Sequence, residues 1–415
     1  MKLSEVNITY KSRTILDSRG NPTSELDLIY DGKVYRSSCP SGASTGKNEC
    51  VVLVDNKSRY NGKNIDGVHK IIKNVIFPFL KKSDVDIKNS NSVDELMLTI
   101  DTSKNKENIG VNALLPFSLS FCKLAAKLNN LPLFKYISTI YNTSLQMPKP
   151  HFNVLNGGMH SGNDFKIQEI MICFDTDDIN ESIESASVFY HSLKSIISKK
   201  YGSLFTSVGD EGGFAPPINS ISEGIELLIQ AGNECNKKNF KIALDVAANS
   251  FFIDGKYYIT DDSYSTEELC DYYLNMLKSY PQIYSIEDPF SEDDIQGWSM
   301  FSKKAPKSLQ IVGDDLTVTN YNLIKIAGEK KLCNVLLVKP NQIGTVCETL
   351  KAVNMARSFG MKIMISHRSG ETEDTFISDL SVGIGADYIK SGAPCRGERV
   401  AKYNQLLRIQ ECLHK

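Results

Sequence analysis

From about residue 240 onward the chain repeats one unit: a short apolar run, closed by a charged or imidazole residue, then a helical stretch. The runs are KIALD, YSIED, LQIVGDD, NVLLVKP, KIMISH and ADYIK, and the residues that close them are Asp245, Glu287, Asp314, Lys339, His367 and Lys390. Between them lie helix-period patterns such as TEELCDYYLNMLKSY and GTVCETLKAVNMARSFG. Runs this apolar are buried on both faces, as parallel strands covered by helices are. Six such units fit a βα barrel or a doubly wound open sheet. In a barrel every strand points its C-terminal end at one mouth, where chemistry collects. In an open sheet the six residues would be strung along an edge. A single strand-end carboxylate is most often a helix N-cap, but six polar ends in series, two of them lysines, are not explained by capping. The expectation is a barrel.

The first 140 residues read differently. EVNITYKSRTILD, SELDLIYDG and KVYRSSCP alternate as three antiparallel strands, turning at Gly20-Asn21-Pro22 and Asp31-Gly32. The helical patterns IDGVHKIIKNVIFPFLKK, SVDELMLTID and GVNALLPFSLSFCKLAAKLNN follow. Strands first and helices after suggest an α+β domain. A turn-rich stretch over 141–149 marks the boundary, which predicts an N-terminal α+β domain at 1–140 and a catalytic βα barrel domain at 141–415.

Composition narrows the class. Lys plus Arg total 47 and Asp plus Glu 49, a formal charge of −2, so no field of one sign favours nucleic acid. Ten cysteines are scattered without a Cys-x-x-Cys pair, several inside apolar runs, as reduced cytoplasmic thiols are. The N-terminal stretch has no apolar signal core, and no run approaches the ~18 apolar residues of a membrane span. A cytoplasmic protein is expected.

Asp245, Glu287 and Asp314 would place three carboxylates at one mouth. They repel one another unless a cation stands between them, and an all-oxygen donor set suits Mg²⁺. The alternative is salt bridges to Lys339 and Lys390. Buried beside such a cation, Lys339 would have its ammonium form disfavoured and become a usable base. The loop Gly209–Pro217 (GDEGGFAPP) offers Glu211 on a flexible turn, as a plain turn residue or as a general acid. The small-residue loop Pro40–Gly46 could cover a ligand and help to complete a second metal site, and it lacks the G-x-x-x-x-G-K spacing of a phosphate-binding P-loop. Arg368, after a strand end, is either solvent-exposed or a bidentate phosphate ligand.

Together the segments DSRGNPT, RSSCPSGASTG, NVLNGGMHSGN, IQEIMI, VGDEGGFAPP, ALDVAANSFF, SIEDPFSEDD, DDLTVTN, LLVKPNQIGT, ISHRSGETEDTFISDL and IKSGAPCRGERVAKYNQLLRI closely resemble the enolase family over nearly the whole chain. A Lys or His base with Mg²⁺ stabilising an ene-diolate is the chemistry of that superfamily. The resemblance implies a barrel that opens with an irregular ββαα part. It also implies Mg²⁺-dependent, reversible dehydration of 2-phosphoglycerate to phosphoenolpyruvate, and a homodimer. Lys339 looks like the base at C2 and Glu211 like the acid at the C3 hydroxyl. Asp245, Glu287 and Asp314 resemble the ligands of a first Mg²⁺, and Ser44 that of a second, which arrives with substrate. His160, Gln168, Glu169, Glu287, Asp314, His367, Arg368, Ser369 and Lys390 resemble the substrate shell, with Arg368 and Ser369 on phosphate.

The chain departs from the family pattern at Val52 and Val54, where Glu and Arg are usual, at Ser250 for Glu, and at Gly397 for Ser. These touch loop closure and interfaces rather than the matched site positions. Two rival readings follow: another reaction of the superfamily, such as racemisation, or a catalytically idle binding protein.

Overall fold

The computed structural model describes residues 1–43, 46–56, 58–259 and 262–413. Ser44 lies outside the described residues. Strands β1 (Ile8–Leu16), β2 (Pro22–Tyr30) and β3 (Lys33–Ser38) form an antiparallel sheet in chain order, as their alternation predicts. The β2–β3 turn is two residues long, with Asp31 at φ 50° and Gly32 at φ 69°. Two left-handed residues give the turn whose twist matches that of its strands. The stretch read as one helix at 65–82 runs instead as α-helix Asp66–Ile71, a π-helical turn Ile72–Ile76 and α-helix Phe77–Lys81. The wide turn ends beside Pro78, which has no N–H to give the carbonyl of Asn74.

Helix Val111–Leu128 is buried on nearly every side. Phe117, Phe121 and Leu124 join Leu26 and Leu28 of β2 in the core under the sheet, while Leu115, Leu119 and Cys122 belong to the core around the barrel. Pro116 leaves the carbonyl of Asn112 without its helical donor, and the hydroxyl of Ser24 donates there instead. By length and composition this helix could cross a membrane, a match that a count of uninterrupted apolar residues overlooks. Its position between two cores accounts for its apolar character.

Strands β4 (Lys149–Asn156), β5 (Glu169–Phe174), β6 (Phe240–Asp245), β7 (Ile283–Glu287), β8 (Gln310–Gly313), β9 (Val335–Val338), β10 (Lys362–Ser366) and β11 (Tyr388–Lys390) close into a barrel in chain order among the described residues. Strand β5 is antiparallel to both neighbours. The connection from β4 carries only the short 3-10 turn Gly158–His160, too little for a crossover, so the chain turns back as a hairpin. Helices Ile179–Tyr201 and Ile221–Glu234 then return it to the end it left, and β6 resumes the common direction. This is the ββαα opening implied by the resemblance.

Strand alternation positions the site. Leu244, Ile286, Leu336, Val338, Ile365 and Ile389 pack in the shell core with the helices. Val312, Val335, Leu337, Met364 and Tyr388 form a separate cluster inside the barrel. Side chains two residues apart share a face. The same parity therefore turns Asp245, Glu287, Asp314, Lys339 and Lys390 inward at the mouth. Because β5 is reversed, its first residue, Glu169, stands there too, paired in register with Asp245.

Candidate active site

The inward residues meet as ion pairs. Lys390 Nζ lies 2.8 Å from Glu287 Oε1, 3.0 Å from Asp245 Oδ2 and 3.5 Å from Glu169 Oε2. Lys339 Nζ is bonded to Asp314 Oδ2, and Gln342 Nε2 donates to Asp314 Oδ1 at 2.9 Å. Gln168 Nε2 reaches Asp245 Oδ2 at 3.4 Å. The salt-bridge alternative weighed above is thus what these side chains make. Within the protein's own charges, burial, Arg368 and Lys390 lower Lys339, but Asp314 and Glu287 outweigh them and hold the ammonium above its ordinary value; the lowering expected above belongs to a mouth loaded with a cation.

Glu211 sits on a turn, as read from the glycines, but the turn is closed in by its neighbours. Glu211 is buried, Asn153 Nδ2 donates to its Oε2 at 2.9 Å, and its carbonyl accepts from Ala393 N at 2.9 Å. The glycines allow this close seating: a Cβ on Gly209 would lie 2.5 Å from the His160 carbonyl, and one on Gly213 2.7 Å from Asn156 Oδ1. His160 Nδ1 and His367 Nε2 each stand 3.5 Å from Glu211 Oε1. Burial alone would raise Glu211. The charges of His160 and His367, with hydrogen bonds from His160 and Glu169, outweigh it and pull the carboxyl well below its ordinary range, and the charge part of that pull exists only while the rings are protonated.

The small-residue loop docks on the end of β10. Ser41 and Gly370 exchange backbone hydrogen bonds at 2.7 and 2.8 Å, and Ala43 N donates to Ser369 Oγ at 2.6 Å. Arg368 is not solvent-exposed. Its Nη1 donates to Glu49 Oε2 at 2.8 Å and to Asn341 Oδ1 at 3.0 Å. A cavity of about 20 Å³ is walled by Gly42, Ala43, His160, Gln168, Glu169, Glu211, Asp245, Lys339, Ser366, His367, Arg368, Ser369 and Lys390. Glu287 and Asp314 are not on its wall and join it through the two lysines.

The chain matches two family profiles: "Enolase, N-terminal domain" over residues 8–137 and "Enolase, C-terminal TIM barrel domain" over residues 144–415. It belongs to the enolase family. An enolase-family mouth calls for a divalent metal, and these residues fit one. Carboxyls outnumber the lysines, and Glu287 Oε2 is buried without a hydrogen-bond partner among the described residues. Burial, then neighbouring carboxylates, push Glu169, Glu287 and Asp288 well above their ordinary values. Oxygen donors of this kind suit a hard cation. Among the described residues, two groups bring possible ligand atoms within 4.8 Å of one another: His160, Glu169 and Glu211, and Asp288, Asp314 and Asp315. Asp245, Glu287 and Asp314 are not drawn into one such group, because Lys390 holds the first two and Lys339 the third.

Glu49, Asn153, Asp288, Asn341, Gln342 and Arg399 also shape the mouth, and sequence reasoning did not single them out. Asp288, the residue after β7, accepts from the backbone N–H groups of Asp314 and Asp315 at 2.9 and 2.8 Å, a role that the run of acids in SIEDP hides.

Proposed function

We propose that this enolase-family chain reversibly dehydrates 2-phospho-D-glycerate to phosphoenolpyruvate, the carbon–oxygen lyase step of glycolysis and gluconeogenesis. The observation that carries this reading is that Lys339, Glu211 and the pair Arg368–Ser369 wall one small cavity. A base, an acid and a phosphate-binding fork on one cavity supply what elimination from a phosphorylated hydroxy acid requires. Lys339 takes the C2 proton, and Glu211 gives one to the C3 hydroxyl as it leaves. Arg368 and Ser369 hold the phosphate, and Lys390 faces the carboxylate. His160, Gln168, Glu169 and His367 complete the substrate shell. Asp245, Glu287 and Asp314 would hold one Mg²⁺, and Ser44 would help to hold a second that arrives with substrate. Bound there, the cations would offset negative charge growing on the substrate carboxylate. Arg368 and Lys339 start from ion pairs with Glu49 and Asp314, and those pairs must loosen for these roles.

Racemisation needs no acid aimed at a leaving hydroxyl, so Glu211 and the phosphate fork disfavour it. The idle alternative is disfavoured by the presence of base, acid and carboxylates together. A spectrophotometric assay for phosphoenolpyruvate, with and without Mg²⁺, decides: product that depends on Mg²⁺ is expected, and no product at any Mg²⁺ concentration would favour the idle reading. We also place the protein in the cytoplasm as a homodimer. Light scattering that finds one species of monomer mass would refute the dimer.

A further inference from the structure

We infer that Arg399 is a positioning residue that keeps His367 neutral, with its proton on Nε2 and aimed at Glu211. The functional consequence rests on the reading of Glu211 as the acid of the proposed dehydration. The structural claim does not.

Arg399 stands in the first turn of the C-terminal helix Gly397–Leu413 and is fully buried, off the cavity wall. Its guanidinium ties together the segments that build the mouth. Nη2 donates to the carbonyls of Asp210 and Ser369 at 2.9 and 2.6 Å, and Nη1 to the carbonyl of Arg368 at 2.5 Å. Nη1 also meets His367 Nδ1 at 2.6 Å.

A guanidinium only donates, and it does not lose its proton inside a protein. Across the 2.6 Å contact, Nδ1 of His367 must therefore be the acceptor. The one proton of the neutral ring is left on Nε2, the nitrogen 3.5 Å from Glu211 Oε1. A second proton would set N–H against N–H at the Arg399 contact. It would also add charge near Arg399, Lys390 and Lys339. Burial and these cations hold His367 well below the ordinary histidine range, with Glu211 opposing them. His160 faces Glu211 from its own side and does not relieve the Arg399 contact.

The chemistry depends on this. An imidazolium at His367 would hold Glu211 as a bare carboxylate, with no proton to give. A neutral ring removes its own share of that pull, leaving only that of His160, while its N–H still faces the carboxyl. A residue off the cavity wall thus sets the charge of one that lines it.

The test uses the full chain with ¹⁵N-labelled imidazoles. Long-range ¹H–¹⁵N spectra are followed from about pH 5 to 8, where histidine ordinarily changes charge, and His367→Asn assigns the signal. In the wild type, His367 should stay neutral with Nε2 protonated throughout. Arg399→Met removes the donor, so His367 should take up a proton within that range. Its kcat should fall by about 10²-fold, the lower end of what an acid group contributes, with KM little changed and the acid limb of kcat moved toward neutral pH. Arg399→Lys returns a donor and should recover part of kcat. A wild-type His367 that titrates in this range, or carries its proton on Nδ1, overturns the inference. So does an Arg399→Met protein whose His367 spectrum matches the wild type. Should that variant not fold, judged by circular dichroism, the wild-type spectrum decides alone. A wild type that makes no phosphoenolpyruvate sinks the proposed function instead, and the spectrum still decides the tautomer.

Discussion

At the end of the barrel where the strands begin, a cavity of about 950 Å³ opens between Lys149, Lys241, Lys362, Tyr284, Tyr388 and Asp175. At the end where they finish, the cavity walled by Lys339, Lys390 and Glu211 holds about 20 Å³. Volume alone would put the ligand at the first end, since roughly 300–1,000 Å³ is usual for a ligand pocket. The state of the charges points to the second. Lys149 and Asp175 pair at 2.8 Å with side chains 32% and 57% exposed, and exposed pairs contribute only about 0–1 kcal/mol. Lys390 and Glu287 pair at the same 2.8 Å with 3% and 2% exposed. Taking such ions out of water costs several kcal/mol each by general estimates, and Glu287 Oε2 still has no hydrogen-bond partner among the described residues. Folding alone gives no reason to assemble that mouth. Buried charge, not open space, marks the end at which we place the chemistry.

The largest expected effect divides the working end into its two roles. If Lys339 is the base, Lys339→Ala should lose both exchange of the C2 proton with solvent and formation of phosphoenolpyruvate. If Glu211 acts only on the leaving hydroxyl, Glu211→Gln should keep C2 exchange while product formation falls about 10²–10⁴-fold. ²H incorporation at C2, followed by NMR in ²H₂O, checks both. Equal loss of exchange in the two variants would make Glu211 part of the base machinery. Full exchange in Lys339→Ala would remove Lys339 from the chemistry.

Next comes the charge balance at the same end. Lys390→Met leaves Asp245, Glu287 and Glu169 without their shared cation. Breaking a buried pair in this way costs about 3–5 kcal/mol. A divalent ion bound there should return part of that, because a ligand confined to the folded state raises its stability. The fall in Tm should therefore be larger in EDTA than in MgCl₂, and Glu287→Gln should shrink the Mg²⁺-dependent rise seen in the unmutated protein. Equal falls with and without Mg²⁺ would place the metal elsewhere.

Much of this mouth is legible in the chain, for a mechanical reason. The alternation that sends Val335 and Leu337 inward also sends Lys339 inward, and Val312 does the same for Asp314. Glu169 escapes that rule, because β5 runs backward and its first residue, not its last, reaches the mouth. Pairings between distant segments are hidden too. Nothing near Arg368 announces Glu49, which lies far away in the sequence. Arg399, in the first turn of a helix, reads like a surface residue until the fold closes over it. The three-stranded sheet was readable from alternation and turns, whereas the π-helical turn at Ile72–Ile76 depends on a local misfit that periodicity does not register.

Asp94 asks whether burial of an acid is costly where no chemistry is proposed. It is fully buried in helix Ser90–Leu98, where its Oδ2 accepts from Ser118 Oγ and from Cys347 N, both at 2.9 Å, and its Oδ1 has no hydrogen-bond partner among the described residues. Burial pushes this carboxyl up to about 7. The folded state then holds the proton more tightly than the unfolded chain, whose aspartates titrate near ~3.9. The stabilising contribution is complete below about pH 4 and is lost as pH rises through about 7. Asp94→Asn should flatten the decline in stability across that window, measured by urea titration at several pH values. An unchanged decline would mean that this acid stays ionised, and that burial alone is a poorer marker than the two ends suggest.

The smallest effect is expected at the wide end. Asp175 is bridged by Lys149 and also by Lys241 at 3.2 Å, so removing Lys149 leaves it partnered and still in contact with water. In a double-mutant cycle of Lys149→Met and Asp175→Asn, the coupling should stay below about 1 kcal/mol, as for other exposed pairs, and shrink further with added salt. The same cycle on Lys390 and Glu287 should give a larger coupling, because the Lys390 variant strands Glu287 in a site closed to water, even though Lys390 keeps Asp245 and Glu169 when Glu287 is changed. Catalysis should follow the second cycle and ignore the first. A strong coupling at Lys149, or a loss of turnover there, would mean that the wide cavity takes part in function and that exposure of its charges is no guide to their importance.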